Sequence, residues 1–291
     1  MVVSTIASTS STLLEKKMKR TFLPIIAFLL LSSLAHADLF MEQAQHAVDM
    51  FNSMNKNQGY VFTQKVDSNS ASTTLGKNVI MTTTSGKDLV DLDAYTASYA
   101  AGVNDNGNQF FKTFCVEPGV GTAGMVRGKL DYTNGTSTTA KGGDNLSLGT
   151  AALYAQYVSG TLDGYVDLVT TEQLVHAIRA AMETSTYGDY YTSYDWETNI
   201  FLAALLGINA DKDYWTQDYD PGKYYEEVGD YSVFVMNTYN GDGFNVQNML
   251  YIVENDGHAS STPEPASILI VGIGLASALP MIRRRKNKAV Q

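Results

Sequence analysis

The chain has 291 residues, with 20 Lys and Arg against 30 Asp and Glu, a formal charge of −10 and a single cysteine. That length suits one large domain or two small ones, and a 44% apolar fraction with 18 Tyr and 11 Phe can fill a core, which excludes a wholly disordered chain. One cysteine excludes an intrachain disulfide framework and a Cys-based zinc site. The acidic balance excludes nucleic acid as a partner, because its phosphates repel such a surface.

At the N-terminus Lys16, Lys17, Lys19 and Arg20 precede the apolar run 21–31, and Ala35-His36-Ala37 follows within a few residues. A basic region, an apolar region and a small-x-small site in that order predict a secretory signal peptide over 1–37, cut by signal peptidase after Ala37 with Ala35 and Ala37 as its recognition pair. The Ser/Thr-rich stretch 1–17 is unusual before such a signal, and Met18 is the more natural start. The competing reading is an uncleaved anchor, for which the run is short.

The body between the two terminal signals, residues 38–262, carries 11 Lys and Arg and 28 Asp and Glu, a net of −17. Such a surface is soluble and would not cling to an anionic membrane. Ala47, Met50, Phe51 and Met54 recur at helical spacing within Glu42–Asn55, which predicts an amphipathic helix. The polar residues 56–77 read as a connector, so that 38–75 forms a helix and linker ahead of a body at 76–256. Strands are predicted at Val79–Thr83, Leu92–Ala100, Gln109–Glu117 and Gly124–Tyr132, with Asn104-Asp-Asn-Gly107 as a turn between two of them. A Gly-containing loop over 133–149 leads to a second helix at Thr150–Val158.

Thr170-Thr-Glu-Gln173 reads as a capping box opening a third helix that buries Leu174, Ala177, Ile178 and Ala181. A fourth helix runs from an N-cap at Asp195 to Gly207. The acidic, Tyr-rich stretch 208–230 reads as a loop, and strands at Tyr231–Asn237 and Met249–Glu254 close the body. The expected fold is therefore α+β, a β-rich sandwich or barrel-like domain with a helical insertion.

The C-terminus reads Pro263-Glu264-Pro265, then the mostly apolar run 266–282, then Arg283, Arg284, Arg285 and Lys286. The run is at the short end of what spans a bilayer, and the basic cluster should keep the tail in the cytoplasm. These three parts closely resemble the PEP-CTERM sorting signal of exported bacterial proteins. The resemblance implies an exosortase acting near Pro263-Glu264-Pro265, a transient stay in the inner membrane through 266–282, and a final place at the surface or in the extracellular matrix of a Gram-negative-type cell. The alternative is a permanent tail anchor.

The chemistry concentrates at Phe111-Lys-Thr-Phe-Cys115-Val-Glu117. With Thr150–Leu162, Leu174-Val-His-Ala-Ile178 and Val246-Gln-Asn-Met-Leu250, it resembles the thioester domains of bacterial surface proteins over roughly 76–254. In that family a Cys thiol and a Gln amide condense with loss of ammonia, and the buried thioester then acylates an amine. The Gln is expected two residues before an Ala-Ile(-Trp) pair. Here Ala177-Ile178 sets that position at Val175 and the Trp position at Arg179. Gln173 is turned by about 200° from Val175 on the helix, so it cannot simply substitute, and Cys115 is expected to be a packed or lightly reactive thiol.

His176 near Cys115 raises a Cys/His dyad, against which stands an ordinary helix-surface histidine. Asp211, Asp213, Asp218 and Asp220 raise a Ca²⁺ site, but their spacing fits no EF-hand and a solvated acidic loop explains them. No hydrolase, zincin or phosphate-loop motif occurs, and no cofactor or metal is called for. The expected role is adhesion or a contribution to a polysaccharide matrix, with extracellular polysaccharide or surface amines as partners. A covalent adhesin acting through Cys115 and a secreted hydrolase are the alternatives.

Overall fold

A computed structural model describes residues 38, 40–53, 61–66, 79–83, 100–116, 124–131, 145–167, 169–182, 196–243 and 246–255. The expected leader 1–37 with Ala35 and Ala37, nearly all of the expected strand 92–100, most of the expected loop 133–149, Asp195, and residues 256–291 with Pro263, Glu264, Pro265, 266–282 and Arg283–Lys286 lie outside the described residues.

Helix α1 covers 40–53, as its apolar spacing predicts, and buries Ala44, Ala47, Val48 and Phe51. Seven strands follow: β1 (Val61–Val66), β2 (Val79–Thr83), β3 (Ala101–Val103), β4 (Gln109–Thr113), β5 (Met125–Asp131), β6 (Tyr231–Tyr239) and β7 (Met249–Glu254). They form one sheet in the order β3-β4-β2-β1-β5-β6-β7, with every neighbouring pair antiparallel. Between β5 and β6, adjacent in the sheet, the chain makes α2 (Leu148–Ser159), α3 (Thr171–Ala181), α4 (Ile200–Ile208), α5 (Lys212–Thr216) and α6 (Tyr225–Val228). The fold is α+β with a helical insertion, and of the two β architectures expected it has the barrel-like one.

The sheet curls until its far end meets its start. β2 begins at Val79, opposite Thr113, so beyond Thr113 the chain loses that neighbour. It pairs with β7 instead. Phe114 O accepts from Leu250 N and Val116 N donates to Asn248 O, both at 3.1 Å, while Cys115 stands opposite Met249. Thr113 Oγ1 donates to Leu250 O at 2.6 Å, and the Tyr154 hydroxyl reaches the same carbonyl at 3.4 Å. This seam satisfies backbone groups that a sheet edge would leave open.

Inside the curl Phe51 of α1 meets Phe62 and Tyr251, and Phe111 meets both of those, with ring centroids 5.2–6.4 Å apart. Where β5 runs past its pairing with β1, Asn52 of α1 takes the place of a strand. Its side chain donates to Leu130 O at 2.9 Å and accepts from Leu130 N at 3.1 Å. The β3–β4 turn forms as predicted, with Asn104 Oδ1 accepting from Asn106 N and Asn108 N and Gly107 at φ +74°, a value L side chains rarely adopt.

Several expectations are corrected. Residues 61–66, expected within a connector, form β1 in the middle of the sheet; Phe62 and Gln64 point inward while Thr63 and Lys65 are exposed. The arm before the 104–107 turn, expected to end at Ala100, is the short β3 at Ala101–Val103. Helix α4 starts after Asn199 rather than Asp195, because the side-chain Oδ1 of Asn199 accepts from Phe201 N and Leu202 N. The stretch 208–230 is not a loop: α5 and α6 sit in it, and Trp215, Tyr219, Tyr224 and Val228 are buried. Thr170 precedes α3 but makes no side-chain cap. Its hydroxyl instead accepts from Val166 N at 2.9 Å, closing the preceding turn.

Candidate functional site

Cys115 lies on the seam, in the extended segment that leaves β4 for β7. Phe114 before it packs edge-on between Tyr154 and Tyr157 of α2, with centroids at 6.2 and 4.9 Å. Helix α2 is in turn tied to α3 by Thr150 Oγ1, which donates to Ile178 O at 2.8 Å. This stack of seam, α2 and α3 fixes which face of α3 reaches Cys115.

That face presents Arg179. Its Nη2 donates to Cys115 Sγ at 3.1 Å, and both residues are nearly closed to solvent, at 5% and 7% exposure. Val175 is one turn earlier, about 40° around the helix from Arg179, and fully buried. Gln173 is about 120° away from Arg179, and its side chain is exposed; its carbonyl accepts from Asn199 Nδ2 at 2.9 Å. The geometry thus brings Arg179, with Val175 on its face, to Cys115, and turns Gln173 away.

What this arrangement can do follows from its donors and acceptors. A guanidinium has only N–H donors; it can hydrogen-bond a sulfur but offers no acyl carbon for it to attack. Val175 is aliphatic and offers neither. The thiol is buried, with the Arg179 guanidinium as its hydrogen-bond donor.

His176 departs from expectation. It is buried rather than on the helix surface, and burial lowers its pKa below 6.5, with Glu172 opposing and Arg179 adding to the shift. The acidic residues of 211–220 have local roles: Asp211 caps α5 through Asp213 N, Asp218 accepts from Asn145 Nδ2, and Asp220 accepts from Gly222 N. Among the described residues no group of three His, Cys, Asp or Glu side chains could hold a metal ion, and no helix is long and apolar enough to cross a membrane. The residue missed by sequence reasoning is Arg179 as the partner of the thiol. Its one sequence signal was a charge at a position where the resemblance expects Trp.

Compared with known proteins, the chain matches no family model, no curated protein and no solved structure.

Proposed function

We propose that this is an exported surface or matrix protein of the PEP-CTERM type, whose thioester-domain-like body has lost its bond and acts by non-covalent adhesion. The observation that carries the reading of the body is the Arg179–Cys115 contact. The resemblance requires the 175–179 face of the third helix to meet the cysteine strand. In support of the reading, Arg179 of that face donates to Cys115 and Val175, one turn earlier, is buried, a guanidinium and a valine at the positions where the resemblance places an indole and an amide. The export half rests on the sequence: a leader ending at Ala35-His36-Ala37, then Pro263-Glu264-Pro265, an apolar run and Arg283–Lys286. Signal peptidase and exosortase are the partners in maturation, and polysaccharide of the matrix is the partner of the mature body. A net of −17 on residues 38–262 favours a hydrated, uncharged or cationic polymer over an anionic membrane.

Replacing Pro263, Glu264 and Pro265 with Ala tests the sorting half. The substituted protein should stay full-length in the inner membrane while the wild type is processed and leaves it. Equal processing and release of both would overturn the assignment.

A further inference from the structure

The helix that reaches Cys115 has no side-chain cap at its N-terminus, so something else must hold that end. The turn before it does. Asp167 Oδ2 lies 3.1 Å from Lys112 Nζ of β4, and its Oδ1 accepts the Tyr165 hydroxyl at 3.0 Å. The same hydroxyl is 3.2 Å from Oγ1 of Thr171, the first residue of α3. The Tyr165 ring stands edge-on to Tyr157 of α2 at 5.1 Å and tilted to Phe201 of α4 at 6.5 Å. With the Lys112 and Asp167 side chains 14% and 29% exposed, salt screens this pair less than a pair on the open surface.

Helix α3 is therefore held to one strand at both ends. From Lys112 to Cys115 the chain advances about 10 Å at about 3.3 Å per residue. From Thr171 to Arg179 the helix advances about 12 Å at 1.5 Å per residue. The two lengths are comparable, so the ion pair, acting on Thr171 through Asp167 and the Tyr165 hydroxyl, holds the start of the helix as the Arg179–Cys115 hydrogen bond holds its far end.

We propose that Lys112–Asp167 is a latch. When it opens, the turn and α3 move away from β4 as one local unit, Arg179 leaves the sulfur, and Cys115 becomes reachable without global unfolding. This deepens the reading of Cys115 as a covered thiol, and one of the two readouts below makes no use of that thiol.

The test compares the full wild-type chain, Asp167→Asn and the charge-swapped pair Lys112→Asp with Asp167→Lys. Hydrogen exchange reads the α3 amides, and alkylation under native conditions reads Cys115. Loss of the pair should speed both by about fivefold, with the urea midpoint moving far less, and the swap should bring both back toward the wild-type rates. In 1 M NaCl, where the Debye length is about 3 Å, wild type should speed toward Asp167→Asn. If the α3 amides of Asp167→Asn exchange as in wild type, or every amide of the body speeds equally with them, the latch is wrong. Faster α3 exchange with a Cys115 that resists alkylation even in unfolded protein would support the latch and contradict the free-thiol reading alone.

Discussion

The sulfur of Cys115 accepts a hydrogen bond from the buried guanidinium of Arg179 at 3.1 Å, and that contact decides what the thiol can do. An internal thioester needs a carboxamide carbon within reach of the sulfur, and the face of α3 that reaches Cys115 carries Val175 and Arg179 instead. Val175→Gln places an amide on that face. Unfolded wild-type protein should then show one alkylatable thiol, and the variant should show a fraction of chains lighter by one ammonia and resistant to alkylation until treated with an amine. A wild type already resistant would mean that a bond exists with another amide. His176 carries a second prediction at this scale. Because burial lowers its folded pKa, folded and unfolded chains are both neutral at this residue well above pH 6.5. As pH falls through 6.5, the unfolded chain takes up the proton first and stability drops. The urea midpoint should therefore fall between pH 7.5 and 5.5 in wild type, and fall less in His176→Gln. Equal falls would remove His176 from the account.

At the scale of elements, the helices are set by side chains that bridge them more than by their own propensity. Asn199 caps α4 through Phe201 N and Leu202 N and also donates to Gln173 O of α3. Asn199→Ala should cost about 2 kcal/mol, the upper part of the usual range for a lost cap, because it breaks the link between the helices as well. A loss under about 0.5 kcal/mol, within the scatter of ordinary surface substitutions, would show that the cap is dispensable. The same elements show what a sequence makes legible. Val79–Thr83 and Met249–Glu254 alternate or run apolar so clearly that their bounds are read directly, as is the apolar stripe of α1. β1 hides because one of its inward residues is Gln64. The amide is held inside by Nε2, which donates to Thr238 Oγ1 and Gln247 O at 3.4 and 3.3 Å, and no periodicity of apolar residues reports a satisfied amide. α5 and α6 hide because charges dominate 208–230 and each helix is shorter than the window over which spacing can be counted. Their buried residues are Trp215 in α5 and Val228 in α6, and both helices pack against α2. The misplaced caps have a local cause: the Thr170 hydroxyl is taken by Val166 N of the turn before α3, and Asn199, as good a cap residue as Asp195 four positions earlier, is the one that caps α4.

For the whole molecule, the terminal signals and the curled body make one account. On the proposed reading, 1–37 acts as a leader and 263–286 as a sorting tail of a strongly acidic domain whose one thiol is buried beside α3, so the mature protein should reach the outside with no internal bond. The intact mass of the protein recovered from outside the cell, before and after alkylation of the unfolded chain, tests this most directly. The account predicts a chain that begins at Asp38, ends near Pro263-Glu264-Pro265, shows no deficit of one ammonia and gains one alkyl group. A chain that retains Met1 or Met18 together with the 266–282 run, or one that is lighter by ammonia and gains no alkyl group, would contradict it.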